Sequence, residues 1–196
     1  MFDNPMKWII LTVLLWVSGA TAHGQTVLQG DSLYRGLQVG KSTFEDIKRV
    51  MGSDYKAEKI TGESTGKLRD GRCVTIRRVI GQKVYYRKQG VTFYIRSNSR
   101  QEWLGGIDFN SRCTVQSSQG IMPGHHTFAD VIASYGPIDF DKKDNTTPKL
   151  EQSSDDGENW MTSIVFPNVS FRSVGKRQPG ENILLRRIEI IRLASE

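Results

Sequence analysis

The sequence predicts an α+β protein of two tandem units, each a short helical segment packed on an antiparallel meander of three or four strands. Internal similarity, helix-capping chemistry and alternating strand patterns support this expectation. Residues 36–52 read GLQVGKSTFEDIKRVMG and residues 120–136 read GIMPGHHTFADVIASYG. At one fixed offset Gly36 meets Gly120, Gly40 meets Gly124, Thr43 meets Thr127, Phe44 meets Phe128, Asp46 meets Asp130 and Gly52 meets Gly136. That many matches in register reads as two copies of one supersecondary unit.

Each copy carries the signals of a short helix. Thr43 and Thr127 are N-cap candidates with Asp46 and Asp130 three residues on, a capping box with Asp in place of Glu or Gln. The acids also suit the positive end of the helix dipole. Phe44, Ile47, Val50 and Met51 recur at three- and four-residue steps, as do Phe128, Val131, Ile132 and Tyr135, so one face of each helix is apolar. Gly52 and Gly136 stand where a left-handed residue ends a helix, and Pro137 blocks continuation. The segment around Leu33, Tyr34 and Leu37 suggests a further turn of helix.

Strand patterns follow each helix. Residues 54–72 read as an exposed connection with extended structure near 56–60. Then Val74, Ile76 and Val79 form a β-rich run, Gly81-Gln82 a turn, Val84, Tyr85 and Tyr86 a second run, and Gln89-Gly90 another turn. Val91, Phe93 and Ile95 alternate with polar or amphipathic neighbours, and 103–109 continues as a strand with a bulge at Gly105-Gly106. In the second half a long polar stretch, 139–158, precedes strands over 163–166, 169–174 and 183–193. Val91-Thr-Phe93 matches Val169-Ser-Phe171, and Ile107-Asp-Phe109 matches Ile188-Glu-Ile190.

Residues 1–22 read as an export signal: Lys7, an apolar run from Trp8 to Val17, and a small-residue site ending at Ala22. Residues 23–35 are expected as a flexible lead, 36–113 as the first unit and 120–196 as the second. Cleavage near Ala22 implies a periplasmic or secreted protein with no membrane span in its mature form. Cys73 and Cys113 are the two cysteines of the chain. In an oxidising compartment their simplest fate is one disulfide, closing a loop of about forty residues and contributing roughly 3–4 kcal/mol. A four-strand meander leaves them about 14 Å apart, a gap that curling must close.

The net charge of +6 suits acidic partners or anionic polymers. Nucleic acid is not expected, since no recognition motif accompanies the charge. His125 and His126 are adjacent without a third ligand, so no metal is expected. Asp139-x-Asp141-x-x-Asp144 lacks the glycine and terminal glutamate of a calcium loop. Gly36, Gly40, Lys41 and Ser42 lack the spacing of a phosphate-binding loop, and no serine sits in a nucleophile elbow. No catalytic residue or cofactor is therefore expected. The sequons at Asn145 and Asn168 matter only in a eukaryotic host.

Aromatic residues on strands give the clearest pointer to function. Tyr86, Tyr94 and Trp103 with Arg87 and Arg96 are the candidate outward-facing set, a composition typical of protein-binding hot spots. Which set is outward depends on strand register.

The glycine-bounded motif, Gly-hydrophobic-x-x-Gly-x-[Ser/Thr]-x-[Asp/Glu]-hydrophobic with a terminal Gly, followed by an antiparallel sheet, resembles the SmpA/OmlA (BamE) domain. The tandem arrangement with a disulfide is similar to the beta-lactamase inhibitory protein superfamily. The resemblance covers 36–109 and 120–193, and implies helices on one face of an antiparallel sheet, a sheet that can run continuously through both repeats, and non-enzymatic protein binding. The chain departs from BamE lipoproteins in lacking a lipidated cysteine. The expectation is thus an exported, non-enzymatic module, binding or inhibitory, that engages another exported or envelope protein through the outer face of its sheet. The alternatives are a small-ligand or cell-wall binder, or an envelope hydrolase using carboxylates of the 139–158 loop such as Asp155, Asp156 and Glu158.

Overall fold

The structure, a computed structural model, describes residues 26–138, 148–154, 158–176 and 180–194. Both helices begin where side chains satisfy the free amides of a first turn. In α1 (Phe44–Met51) the Thr43 hydroxyl accepts from the Asp46 amide, and the Asp46 carboxylate accepts from the Thr43 amide at 2.9 Å. In α2 (Phe128–Tyr135) Thr127 and Asp130 make the same exchange, with the return bond at 2.7 Å. Gly52 and Gly136 close the helices at φ 84° and 104°, a region costly for residues with a Cβ. Ile47 and Met51 of α1, and Phe128 and Val131 of α2, face the core.

The remaining elements are strands. Short pieces β1 (Thr26–Val27), β2 (Leu33–Tyr34) and β3 (Leu37–Gln38) come first. Next come β4 (Lys56–Lys67), β5 (Cys73–Tyr86), β6 (Val91–Ser97), β7 (Glu102–Asn110) and the short β8 (Val115–Gln116). After α2 follow β9 (Lys149–Ser154), β10 (Asn159–Val165), β11 (Val169–Lys176), a 3-10 turn over Ile183–Leu185, and β12 (Ile190–Ala194). Eight of them form one antiparallel sheet in the order β4-β5-β6-β7-β12-β11-β10-β9.

This corrects the expected α+β class with two tandem units. Strand accounts for 51% of the described residues and helix for 12%, and the long strands belong to a single sheet. Pairing of β7 with β12 makes the sheet continuous, setting Ile107 opposite Leu193 and Phe109 opposite Ile191. These four side chains are fully buried and leave no edge at the centre.

One face of this sheet carries the core. Val84, Tyr86, Phe93, Leu104 and Ile107 continue across the seam into Leu193, Ile191, Phe171 and Ile164, all buried in one cluster with the helices. The loop before each helix is bonded to the sheet side. Gly40 donates to Leu104 at 2.7 Å and Leu104 to Ser42, while Gly124 donates to Ile188 and Ile188 to His126. Asp31 ties the N-terminal segment to the second half, accepting from Ser118 and, at 2.8 Å, from the Tyr135 hydroxyl.

Five local expectations are also corrected. The segment at 33–38 is a tight hairpin of β2 and β3 rather than a helical turn, because Arg35 and Gly36 both take left-handed conformations. Residues 56–67 form a full strand instead of a connection, and β5 runs unbroken through Gly81-Gln82. The run at 183–193 divides into the 3-10 turn and β12. Cys73 and Cys113 are free. Cys113 abuts Gly90, beyond the Tyr86 end of β5, while Cys73 starts that strand. At ~3.3 Å per residue the strand alone holds them about 40 Å apart, far outside disulfide reach.

Gly81 sits where β5 leaves β6, and a Cβ there would lie 2.1 Å from the Ile95 carbonyl oxygen. Gly81→Ala is expected to cost about 3 kcal/mol in urea unfolding. Gly66→Ala, with nothing within 4 Å of its Cβ, should change stability by no more than ~0.5 kcal/mol. Equal effects would contradict the close strand approach.

Candidate functional site

Among the described residues, the helices cover one face of the sheet and leave the other uncovered. A groove of about 500 Å³ crosses that outer face, lined by Ile60 of β4, Arg78 and Ile80 of β5, Tyr94, Arg96 and Ser97 of β6, Trp103, Gly105 and Gly106 of β7, and Arg192 and Ala194 of β12. Strand alternation places these side chains opposite the core: Val91, Phe93 and Ile95 are buried, while Tyr94 and Arg96 project the other way. A register shift between Tyr94 and Ile95 leaves Gly105 as the extra residue of a bulge. The Arg96 stem lies across it, since a Cβ on Gly105 would meet Arg96 Cγ at 2.8 Å.

A polar cluster sits at the inner end of this groove, on the seam. Arg192 and Asp108 are directly opposed across β12 and β7. The guanidinium donates twice to the carboxylate, at 2.5 and 2.6 Å, a paired geometry stronger than a single ionic contact. Tyr94 donates to the same carboxylate at 2.8 Å, and the Arg192 guanidinium lies 4.5 Å from the centre of the Tyr94 ring. Burial works against the Arg192 charge, but the hydrogen bond and charge of Asp108 hold its pKa above the ordinary arginine value. Burial, then the neighbouring Arg192 cation, lowers that of Arg172 on the adjacent strand. Asp108 is thus occupied by its partners, and the groove keeps the positive character of Arg78 and Arg96.

The predicted binding residues separate in space. Tyr94, Arg96 and Trp103 come together in the groove. Tyr86 does not face outward: it is fully buried on the core face, its hydroxyl donating to the Gly52 carbonyl at 2.7 Å. Arg87 lies beyond the opposite end of β5, beside Asp54 and Lys88. Sequence reasoning missed Ile60, Arg78, Ile80 and Arg192. The signal for the first three was the Asp70-Gly71 pair, a strong hairpin marker. Arg192 needed the long-range β7 to β12 register.

Other candidates lie elsewhere. His126 Nδ1 accepts from the Met122 amide at 3.1 Å, a local turn bond, and His125 is exposed. Among the described residues no three metal-binding side chains converge, and no helix is long and apolar enough to cross a membrane. Asp139, Asp141, Asp144, Asp155 and Asp156, like the export signal over 1–22 and the sequon at Asn145, fall outside the described residues. No protein-family model, curated protein or solved structure matches the chain.

Burial, followed by the charge and hydrogen bond of Asp108, pushes the Tyr94 phenol from 10.0 up to about 12. Tyr34 and Tyr135 also reach about 12, each through burial first. A folded-state pKa above the unfolded value gives stability that is complete below pH 10 and lost as pH rises from 10 to 12. Denaturant unfolding across that window should fall less steeply for Tyr94→Phe than for the parent. An identical slope would mean that Tyr94 is not held in its protonated form.

Proposed function

We propose that the protein is an exported, non-enzymatic module that binds another protein through the outer face of its sheet. The observation that carries this reading is the groove itself, in which Tyr94 and Trp103 stand among Arg78, Arg96 and Arg192 on a rigid antiparallel scaffold. Aromatic and arginine side chains dominate the energetics of protein interfaces, because they bury large areas and form directed polar bonds. The backbones of Tyr94, Arg96 and Arg192 are fixed by ladders on both sides, so ordering them costs little on association. An acidic partner fits the charge. The resemblance of the capped-helix motif to the BamE domain points the same way, as does the signal-like segment at 1–22 for export.

The test is capture from an envelope extract of the source organism, with bound proteins identified by mass spectrometry. The parent and Leu185→Ser, whose side chain is exposed outside the groove at 70%, should retain the same acidic protein. Trp103→Ala and Arg96→Ala should each weaken binding of that purified protein by ~2 kcal/mol or more, and raised salt should weaken the parent complex. Undiminished binding by both groove variants would overturn the reading.

A further inference from the structure

Beyond the groove, β4 and β5 continue as a two-stranded ribbon. β6 pairs with β5 only over residues 81–86, whereas β4 pairs with it back to Cys73. Among the described residues, 73–80 therefore have a neighbour on one side and a free edge on the other. At the ribbon tip Leu68 donates to the Arg72 carbonyl at 2.8 Å. Antiparallel alternation from that bond turns the backbones of Val74, Ile76 and Arg78 toward β4. The amides and carbonyls of Thr75, Arg77 and Val79 then face the open edge.

The two ribbon faces differ. One is mainly polar: Thr65 bonds to Thr75 at 3.2 Å and Glu63 pairs with Arg77, with Val79 the apolar side chain beside them. The other carries Val74, Ile76 and Ile80, with exposures of 38%, 60% and 38%. Small residues Gly66, Ser64 and Gly62 stand opposite Val74, Ile76 and Arg78. This apolar strip runs into the groove, whose lining includes Arg78 and Ile80. Of the charges between residues 61 and 80, Glu63 and Asp70 pair with Arg77 and Arg72, leaving Lys67, Arg69 and Arg78 in excess.

We propose that the free edge of β5, residues 73–80, accepts an extended acidic segment of a partner protein as an added antiparallel strand. This rests on the protein-binding reading above and gives it a backbone mechanism. The added strand bonds to Thr75, Arg77 and Val79, lays its apolar side chains beside Ile76 and Ile80, and directs its acids to the polar face, where Lys67 is in excess over the Glu63–Arg77 pair. A second copy of this chain is a poorer occupant, because it brings the same unpaired cations to the edge. An anionic lipid surface offers charge but no alternating donors and acceptors for an open ladder.

The probe is a short fluorescein-labelled peptide alternating valine with glutamate, followed by anisotropy with the whole protein. In antiparallel register the glutamate amides face β5 and the valine amides face away. N-methylation of the glutamates should weaken binding at least tenfold, and N-methylation of the valines should leave it within twofold. Any other ranking overturns the proposal. Thr75→Pro, which removes an edge donor outside the β4 ladder, and Ile76→Ser should each weaken the peptide tenfold without changing the circular dichroism spectrum. Full peptide binding by both variants overturns strand addition, as does binding to anionic vesicles but not to peptide, or a dimer in sedimentation that the peptide does not dissolve. Loss of partner capture by Trp103→Ala with full capture by Thr75→Pro overturns strand addition alone and leaves the groove reading standing.

Discussion

The pairing of β7 with β12 is the constraint on which the rest of the structure depends. Its inner side is apolar, with Ile107 against Leu193 and Phe109 against Ile191. Its outer side is ionic, with Asp108 against Arg192. One register therefore satisfies two opposite environments, and a slip by one residue would bury the ion pair and expose the apolar side chains. By joining these strands the chain obtains one wide sheet with both helices on the same face.

The bulge at Gly105 and the close approach at Gly81 shape that uncovered face. The first brings the Arg96 stem over the floor of the groove. The second marks the last pair of β5 with β6, beyond which β4 and β5 continue as a two-stranded ribbon. Five exposed apolar side chains, Leu68, Val74, Ile76, Val79 and Ile80, lie on this ribbon. A monomer gains nothing from holding them in water, and unpaired edges carry an aggregation cost that Lys67, Arg69 and Arg78 restrain by charge. Apolar content, open backbone groups and excess cation on one ribbon are together suited to an acidic strand.

What the sequence made legible was local. Thr43 with Asp46, and Thr127 with Asp130, announce helix starts because both partners of each bond lie within one turn. Alternation over 91–97 and the bulge at Gly105 were readable for the same reason, and they located Tyr94, Arg96 and Trp103 on one strand pair. Tyr86 was misassigned because Val84, Tyr85 and Tyr86 give three consecutive bulky residues, and only pairing with Val91 settles which of them faces inward. The expected disulfide fails because Gly81-Gln82 is not a turn; β5 continues through it and carries Cys73 to the far end of the ribbon. Nothing local records that Ile107 meets Leu193, so the strand order of the single sheet needs that long-range register.

Native-state amide hydrogen exchange tests the central claim of a single sheet most directly. The account predicts that the amides bonded between β7 and β12 exchange only through global unfolding and respond to denaturant with the full unfolding slope, whereas the ribbon amides that face the open edge exchange rapidly. Exchange of the β12 amides through a separate, lower-energy opening, with β7 still protected, would contradict it.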